Sequence, residues 1–189
     1  MAQTNGMAAK KKVLALAKKF KKKLKKIKVF LCDVDGILTD GRLVWAGEEA
    51  GFNRFFNALD GLGFRILQQN GIKVGVISGG QSAGLKMRAQ MLKMDYYFVG
   101  NEDKRGPFLK ILSDGYTPEE ILFMGDDFID LPILKQAGFA ATVPEASWEI
   151  QAAADYVTQR SMGRGCVREV IDILRMAQGL QIKFPDFEE

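Results

Sequence analysis

Six short apolar runs, residues 29–34, 73–78, 96–99, 121–125, 139–143 and 156–158, are rich in β-branched and aromatic side chains and alternate with stretches of helical period. The helices are expected near residues 61–69, 82–92, 104–113, 130–136 and 147–153, with a last one over about 167–178. Strand, helix, strand repeated in this way predicts an α/β fold: a Rossmann-like, mostly parallel sheet with helices on both faces. Ligands of such sheets bind beyond the carboxyl ends of the strands. One segment breaks the rhythm. Residues 41–57 read as two extended pieces, 42–45 and 52–56, joined through Ala46-Gly47-Glu48-Glu49-Ala50-Gly51. That predicts a β-hairpin inserted after the first strand, and no second insertion is long enough to be a separate domain.

The charge divides the chain. Residues 1–28 hold eleven lysines and no acid, which leaves 16 bases against 23 acids, net −7, in the remainder. Three parts are expected: a lysine-rich arm and helix over 1–28, one domain over 29–180, and a tail over 181–189. Residues 1–9 look like a disordered start. From there Val13, Ala17, Phe20, Leu24 and Ile27 recur at spacings of four and three, one face of a helix packed on the domain with its lysines in solvent. Membrane-surface or nucleic-acid contact stays open for this arm alone; elsewhere the acidic balance gives no footprint for nucleic acid. No apolar run approaches the roughly 20 residues a bilayer needs, so no signal peptide or anchor is expected. Cys32 and Cys166 are expected as reduced core thiols of a cytoplasmic protein.

The chain has no histidine. That removes histidine-dependent triads and dyads and the usual zinc sites, so catalysis must run on carboxylates, lysine and serine, with or without a hard cation. The first strand ends in Asp33-Val34-Asp35-Gly36, two carboxylates at i and i+2 of an extended chain, on one side at the sheet edge. Two like charges so close call for a cation or a shared proton, and an oxygen-ligated Mg²⁺ suits them. A second acidic group, Gly125-Asp126-Asp127-Phe128-Ile129-Asp130, follows the strand at 121–125. Helix capping explains one of its aspartates but not all three. Ser78-Gly79-Gly80-Gln81-Ser82 after another strand offers a hydroxyl and backbone N–H groups to a phosphate, though it also reads as a plain βα turn. Lys104 opens a helix after the strand at 96–99; alone it would be ordinary surface.

In this order, DxD, Ser, Lys and GDDxxD, each after a strand, the chain resembles the haloacid dehalogenase superfamily of phosphatases. It is most similar to the capless sugar-acid phosphatases, those of 3-deoxy-D-manno-octulosonate 8-phosphate above all. Phe56-Asn57, Asp60-Gly61 and Gly163-Arg164-Gly165 with Val167-Arg168-Glu169-Val170 carry the closer match, over about residues 29–178. The resemblance implies a Mg²⁺-dependent phosphomonoesterase in which Asp33 is the nucleophile and Asp35 the general acid and base. Mg²⁺ would be held by Asp33, the backbone carbonyl of Asp35, and Asp126. Ser78 and Lys104 would bind the phosphoryl oxygens, with Asp127 and Asp130 in support, and Asn57, Asp60, Gly61, Arg65 and Arg88 match positions that contact substrate. It also implies a homotetramer in which hairpins associate and a neighbouring subunit covers each site.

The chain departs from the pattern twice. Leu59 and Gly80 stand where the family usually has arginine, the residue suited to bidentate carboxylate or phosphate binding. The octulosonate is therefore one candidate beside a nonulosonate 9-phosphate or a neutral sugar phosphate. Two other readings compete: a receiver-like phosphoacceptor domain, whose aspartates run in a different order, and a catalytically weak homologue kept for assembly.

Overall fold

The structure, a computed structural model, describes residues 2–49 and 51–183. Strands β1 (Val29–Cys32), β2 (Val44–Trp45), β3 (Phe52–Asn53), β4 (Lys73–Ser78), β5 (Tyr96–Val99), β6 (Ile121–Met124), β7 (Phe139–Thr142) and β8 (Tyr156–Val157) occur in that order. Six form one parallel sheet in the order β5-β4-β1-β6-β7-β8, and β2 and β3 form the separate antiparallel hairpin, Trp45 opposite Phe52. The expected sheet and insertion are both present. All six sheet strands begin where the periodicity puts them, and β1, β6, β7 and β8 stop one or two residues sooner, as the chain leaves the ladder for its loops.

β1 lies at the centre, fully buried, with β4 on one side and β6 on the other. After β1 the chain builds outward through β4 and β5, then crosses back to build β6, β7 and β8 on the other side. The order therefore reverses between β1 and β6, and the crevice beyond their carboxyl ends is the one that such sheets use for ligands. The Asp33 N–H donates to the Met124 carbonyl at 2.8 Å and locks the two strand ends together.

Eight α-helices occur among the described residues: α1 (Ala2–Lys19), α2 (Lys21–Leu24), α3 (Ala58–Gln69), α4 (Ala83–Met91), α5 (Arg105–Ser113), α6 (Leu131–Leu134), α7 (Trp148–Ala153) and α8 (Cys166–Gln178). Asn57 caps α3 by accepting from the Leu59 N–H at 2.9 Å, so the helix starts three residues before the apolar pattern does. Residues 128–130 form a 3-10 turn, and only 131–134 of the expected helix over 130–136 is α-helical. Asp127 and Asp130 hold that turn in a reciprocal cap, and Pro132 supplies no N–H to continue it backwards.

The N-terminal arm corrects one expectation: α1 begins at Ala2, not near Val13, and residues 2–9 are helical rather than a disordered start. Alanine and lysine, strong helix formers, carry the helix back beyond its apolar face. That face does pack on the domain, with Ala17, Leu24 and Ile27 buried and Val13, Leu16 and Phe20 against the core; α1 and α2 lie on α8. Cys32 and Cys166 are free and buried. Residues 184–189 of the expected tail lie outside the described residues.

Candidate active site

Asp33 follows β1 directly, and its Oδ1 accepts from the Val34 N–H at 2.6 Å. Its Oδ2 lies 3.0 Å from the ammonium of Lys104, which donates also to Asp130 Oδ1 at 2.6 Å. Lys104 immediately precedes α5 and is 1% exposed, so a residue that alone looked like surface is instead a buried counter-charge. Asp126 completes the group: carboxylate oxygens of Asp33, Asp126 and Asp130 all lie within 4.8 Å of one another. Gly36, with φ of +88°, makes room for it, because a Cβ there would run into the Asp126 carboxylate.

Three carboxyls against one ammonium is an unbalanced site, and the titration of its members records the imbalance. Burial, with Asp130 nearby, pushes Asp33 up to about 7. Burial, with Asp33 and Asp130 nearby, pushes Asp126 up to about 8. Asp130 is raised by burial as well. Burial alone would lower Lys104, but Asp33 and Asp130 outweigh it and hold the ammonium above its ordinary value. Asp126 Oδ1 is buried with no hydrogen-bond partner. A carboxylate with an orphaned oxygen, grouped with two further carboxylates, could hold a hard divalent cation.

The aspartates of the 125–130 turn separate by task. Asp127 is exposed and turns its carboxylate back to accept from the Phe128 N–H at 2.7 Å. Asp130 Oδ2 accepts from the Asp126 and Asp127 N–H groups, which aims its other oxygen at Lys104. Ser78, at the end of β4, is buried beside this edge. Asp35 points elsewhere: Arg54, one residue past β3, grips it with Nε to Oδ1 at 2.6 Å and Nη2 to Oδ2 at 2.8 Å. Arg54 Nη1 donates to the Phe52 carbonyl at 3.1 Å and to Ser82 Oγ at 3.2 Å. Arg54 is the residue that sequence reasoning missed. Its only local signal is a lone base in an aromatic hairpin, since hairpin orientation is not written in the period of the strand.

The residues matched to substrate contact form a second group along α3. Asn57 donates to the Gly163 carbonyl at 3.4 Å, and its own carbonyl accepts from Arg88 at 3.3 Å. Gly61 packs so closely under Arg88 that a Cβ would collide with the guanidinium. Asp60 is buried, accepts from the Arg168 N–H at 2.7 Å through Oδ1, and leaves Oδ2 unpartnered. Arg65 is exposed beside Gln68, Gln69 and Lys93; burial, and after it the Arg65 charge, lowers the Arg88 guanidinium. Leu59 is exposed, and the space beside Gly80 is taken by the Arg54 guanidinium.

Residues 109–171 match the family described as haloacid dehalogenase-like hydrolase. The chain is 36% identical over 153 residues to the 3-deoxy-D-manno-octulosonate 8-phosphate phosphatase of Yersinia pestis, covering 80% of this chain and 81% of that one. It is 35% identical over 158 residues to the phosphatase of the same name from Escherichia coli K12, covering 83% and 84%. Among solved structures, the same phosphatase from Moraxella catarrhalis, in complex with magnesium, phosphate and a KDO molecule, superposes with a TM-score of 0.81 at 34% identity, over 85% of this chain and 92% of that one. A cobalt-bound form from Haemophilus influenzae gives 0.77 at 34% identity, over 83% and 92%.

Proposed function

The chain belongs to the 3-deoxy-D-manno-octulosonate 8-phosphate phosphatase family of haloacid dehalogenase-like hydrolases, and on that premise we propose that it removes phosphate from a sugar acid through an aspartyl-phosphate on Asp33. As a member it is a phosphoric monoester hydrolase. The observation that carries the mechanism is the buried contact of Lys104 with Asp33 beside the unpartnered Asp126, three groups from three strand ends.

Asp33 attacks phosphorus, the ester P–O bond breaks, and the departing alkoxide takes a proton from Asp35. Water then attacks the phosphorus, passes its proton to Asp35, and the bond from phosphorus to Asp33 breaks to release inorganic phosphate. Lys104 and Ser78 hold the phosphoryl oxygens, and burial strengthens both contacts. Asp33, Asp126 and the Asp35 carbonyl would hold Mg²⁺, with Asp130 orienting Lys104; when bound, the ion neutralises charge on the transferring phosphoryl group. The orphaned Asp126 oxygen supports that assignment.

Asn57, Asp60 and Arg88 face the sugar acid, for which 3-deoxy-D-manno-octulosonate 8-phosphate is the leading candidate. Leu59 and Gly80 keep a nonulosonate 9-phosphate in view. The hairpin exposes Leu43, Val44, Trp45, Phe52 and Phe55, an apolar surface that supports a homotetramer covering its own sites. Free buried thiols, and the absence among the described residues of any helix long and apolar enough to cross a membrane, fit a cytoplasmic enzyme. The test is a screen of phosphorylated sugars and sugar acids with Mg²⁺ and an Asp33→Asn control. Turnover should fall by at least about a thousandfold in the control, and retention of more than about a hundredth would remove Asp33 as nucleophile.

A further inference from the structure

We propose that Arg54 is the positioning residue of Asp35, so that the inserted hairpin sets the orientation of the group that moves the proton. The inference rests on the reading of Asp35 as acid and base, and goes beyond it by assigning what holds that carboxyl in place. Asp35 sits on the turn after β1 with its side chain 30% exposed, at the open side of the site. Among the described residues its one side-chain partner apart from Arg54 is the Thr39 hydroxyl at 3.4 Å, and that hydroxyl also faces the Val34 carbonyl at 3.2 Å. A carboxyl with so weak a tether rotates freely about its last bond.

Arg54 removes that freedom. Its side chain is 4% exposed, and the fork of Nε and Nη2 takes both Asp35 oxygens. The guanidinium is itself held, because Nη1 is divided between the hairpin's own Phe52 carbonyl and Ser82 at the start of α4. Three elements thus meet at one planar group. When one Asp35 oxygen takes up a proton it gives up one hydrogen bond from Arg54 and keeps the other, so the carboxyl stays oriented through both halves of the reaction.

Gly80 belongs to the same device. It is not among the glycines with positive φ, so its backbone does not demand glycine. The demand is space: a Cβ there would stand 2.5 Å from Arg54 Nη2 and 3.0 Å from Asp35 Oδ2. A side chain at position 80 and the Arg54–Asp35 pair compete for one volume, which accounts for glycine at a position where the family usually carries arginine.

Leaving-group dependence tests the proposal. The ratio kcat/KM reports steps up to departure of the leaving group, where an alkoxide needs a proton and p-nitrophenolate does not. With the full-length protein and Mg²⁺, Arg54→Ala should lower kcat/KM for the best sugar phosphate by about 100-fold but for p-nitrophenyl phosphate by less than about threefold, the signature of a lost acid. Added guanidinium at millimolar concentration should restore part of the sugar-phosphate rate. Gly80→Ala, which keeps Arg54 but crowds it, should show the same substrate-selective loss. Equal losses on both substrates, no loss on either, or a Gly80→Ala protein with unchanged selectivity would each overturn it. Asp33→Asn separates the two levels: if it silences both substrates while Arg54→Ala shows no selectivity, the positioning role fails and the phosphatase reading stands. If Asp33→Asn stays active, that reading fails first.

Discussion

Lys104 Nζ lies 2.6 Å from Asp130 Oδ1, and neither side chain meets solvent. The same ammonium reaches Asp33, so two buried carboxyls share one lysine. Lys104→Met strands both, and breaking a buried pair from one side typically costs about 3–5 kcal/mol. We expect a loss of that order in urea denaturation at pH 7.5. The loss should shrink at pH 5, where the stranded carboxyls take protons instead. An equal loss at both pH values would mean that Lys104 acts by packing alone.

Asp126 offers the most direct test of divalent-cation binding, because its buried Oδ1 has no hydrogen-bond partner among the described residues. Mg²⁺ should raise the melting temperature of the native protein, since a ligand at about 100 times its Kd adds roughly 2.7 kcal/mol. Asp126→Asn should melt no lower than the native protein without metal, as a repelled carboxylate is gone, and should lose the Mg²⁺ shift. Chelation with EDTA should abolish native turnover and Mg²⁺ restore it. An undiminished Mg²⁺ shift in Asp126→Asn would place the cation elsewhere.

Asp60 makes a prediction about pH. Burial pushes its carboxyl from 3.8 up to about 6, against the opposing pull of the Arg168 N–H and of Arg160, Arg168 and Arg88. A carboxyl whose folded pKa is raised binds its proton more tightly when folded, so its ionisation costs stability. The cost is complete above about pH 6 and absent below about pH 4. Asn at this position keeps an acceptor for the Arg168 N–H without the charge. Asp60→Asn should therefore stabilise the protein by up to about 3 kcal/mol at pH 8 and by nothing measurable near pH 4. The same stability change at both pH values would show that charge is not the cause.

The hairpin predicts assembly. Trp45 is 58% and Phe55 62% exposed on a two-stranded element too small to bury them. Light scattering should give four times the 21.0 kDa protomer mass, and Leu43→Glu with Trp45→Glu should dissociate it. A native monomer with full activity at assay concentration would refute both the tetramer and a cover shared between subunits.

Much of this protein was legible before folding was considered. Apolar runs and helical period are local properties, and they located β1, β4 and β6 and hence the strand ends that carry Asp33, Ser78 and Asp126. Parallel strands then bring those ends to one edge by topology alone. The period of the N-terminal helix was equally visible from Val13, but its start at Ala2 was not, because propensity without an apolar face leaves no periodic mark.

The assignments within the acidic turn needed tertiary structure. Asp126, Asp127 and Asp130 are chemically identical; only the 3-10 geometry turns Asp127 into a cap and aims Asp130 at Lys104. Arg54 is the clearest case. It lies 19 positions from Asp35, on a hairpin joined to the sheet by loops. Residue type and spacing within a segment determine which element forms, whereas the angle at which the hairpin folds back depends on surfaces supplied by α4 and Gly80, and that angle alone brings the guanidinium to the carboxylate.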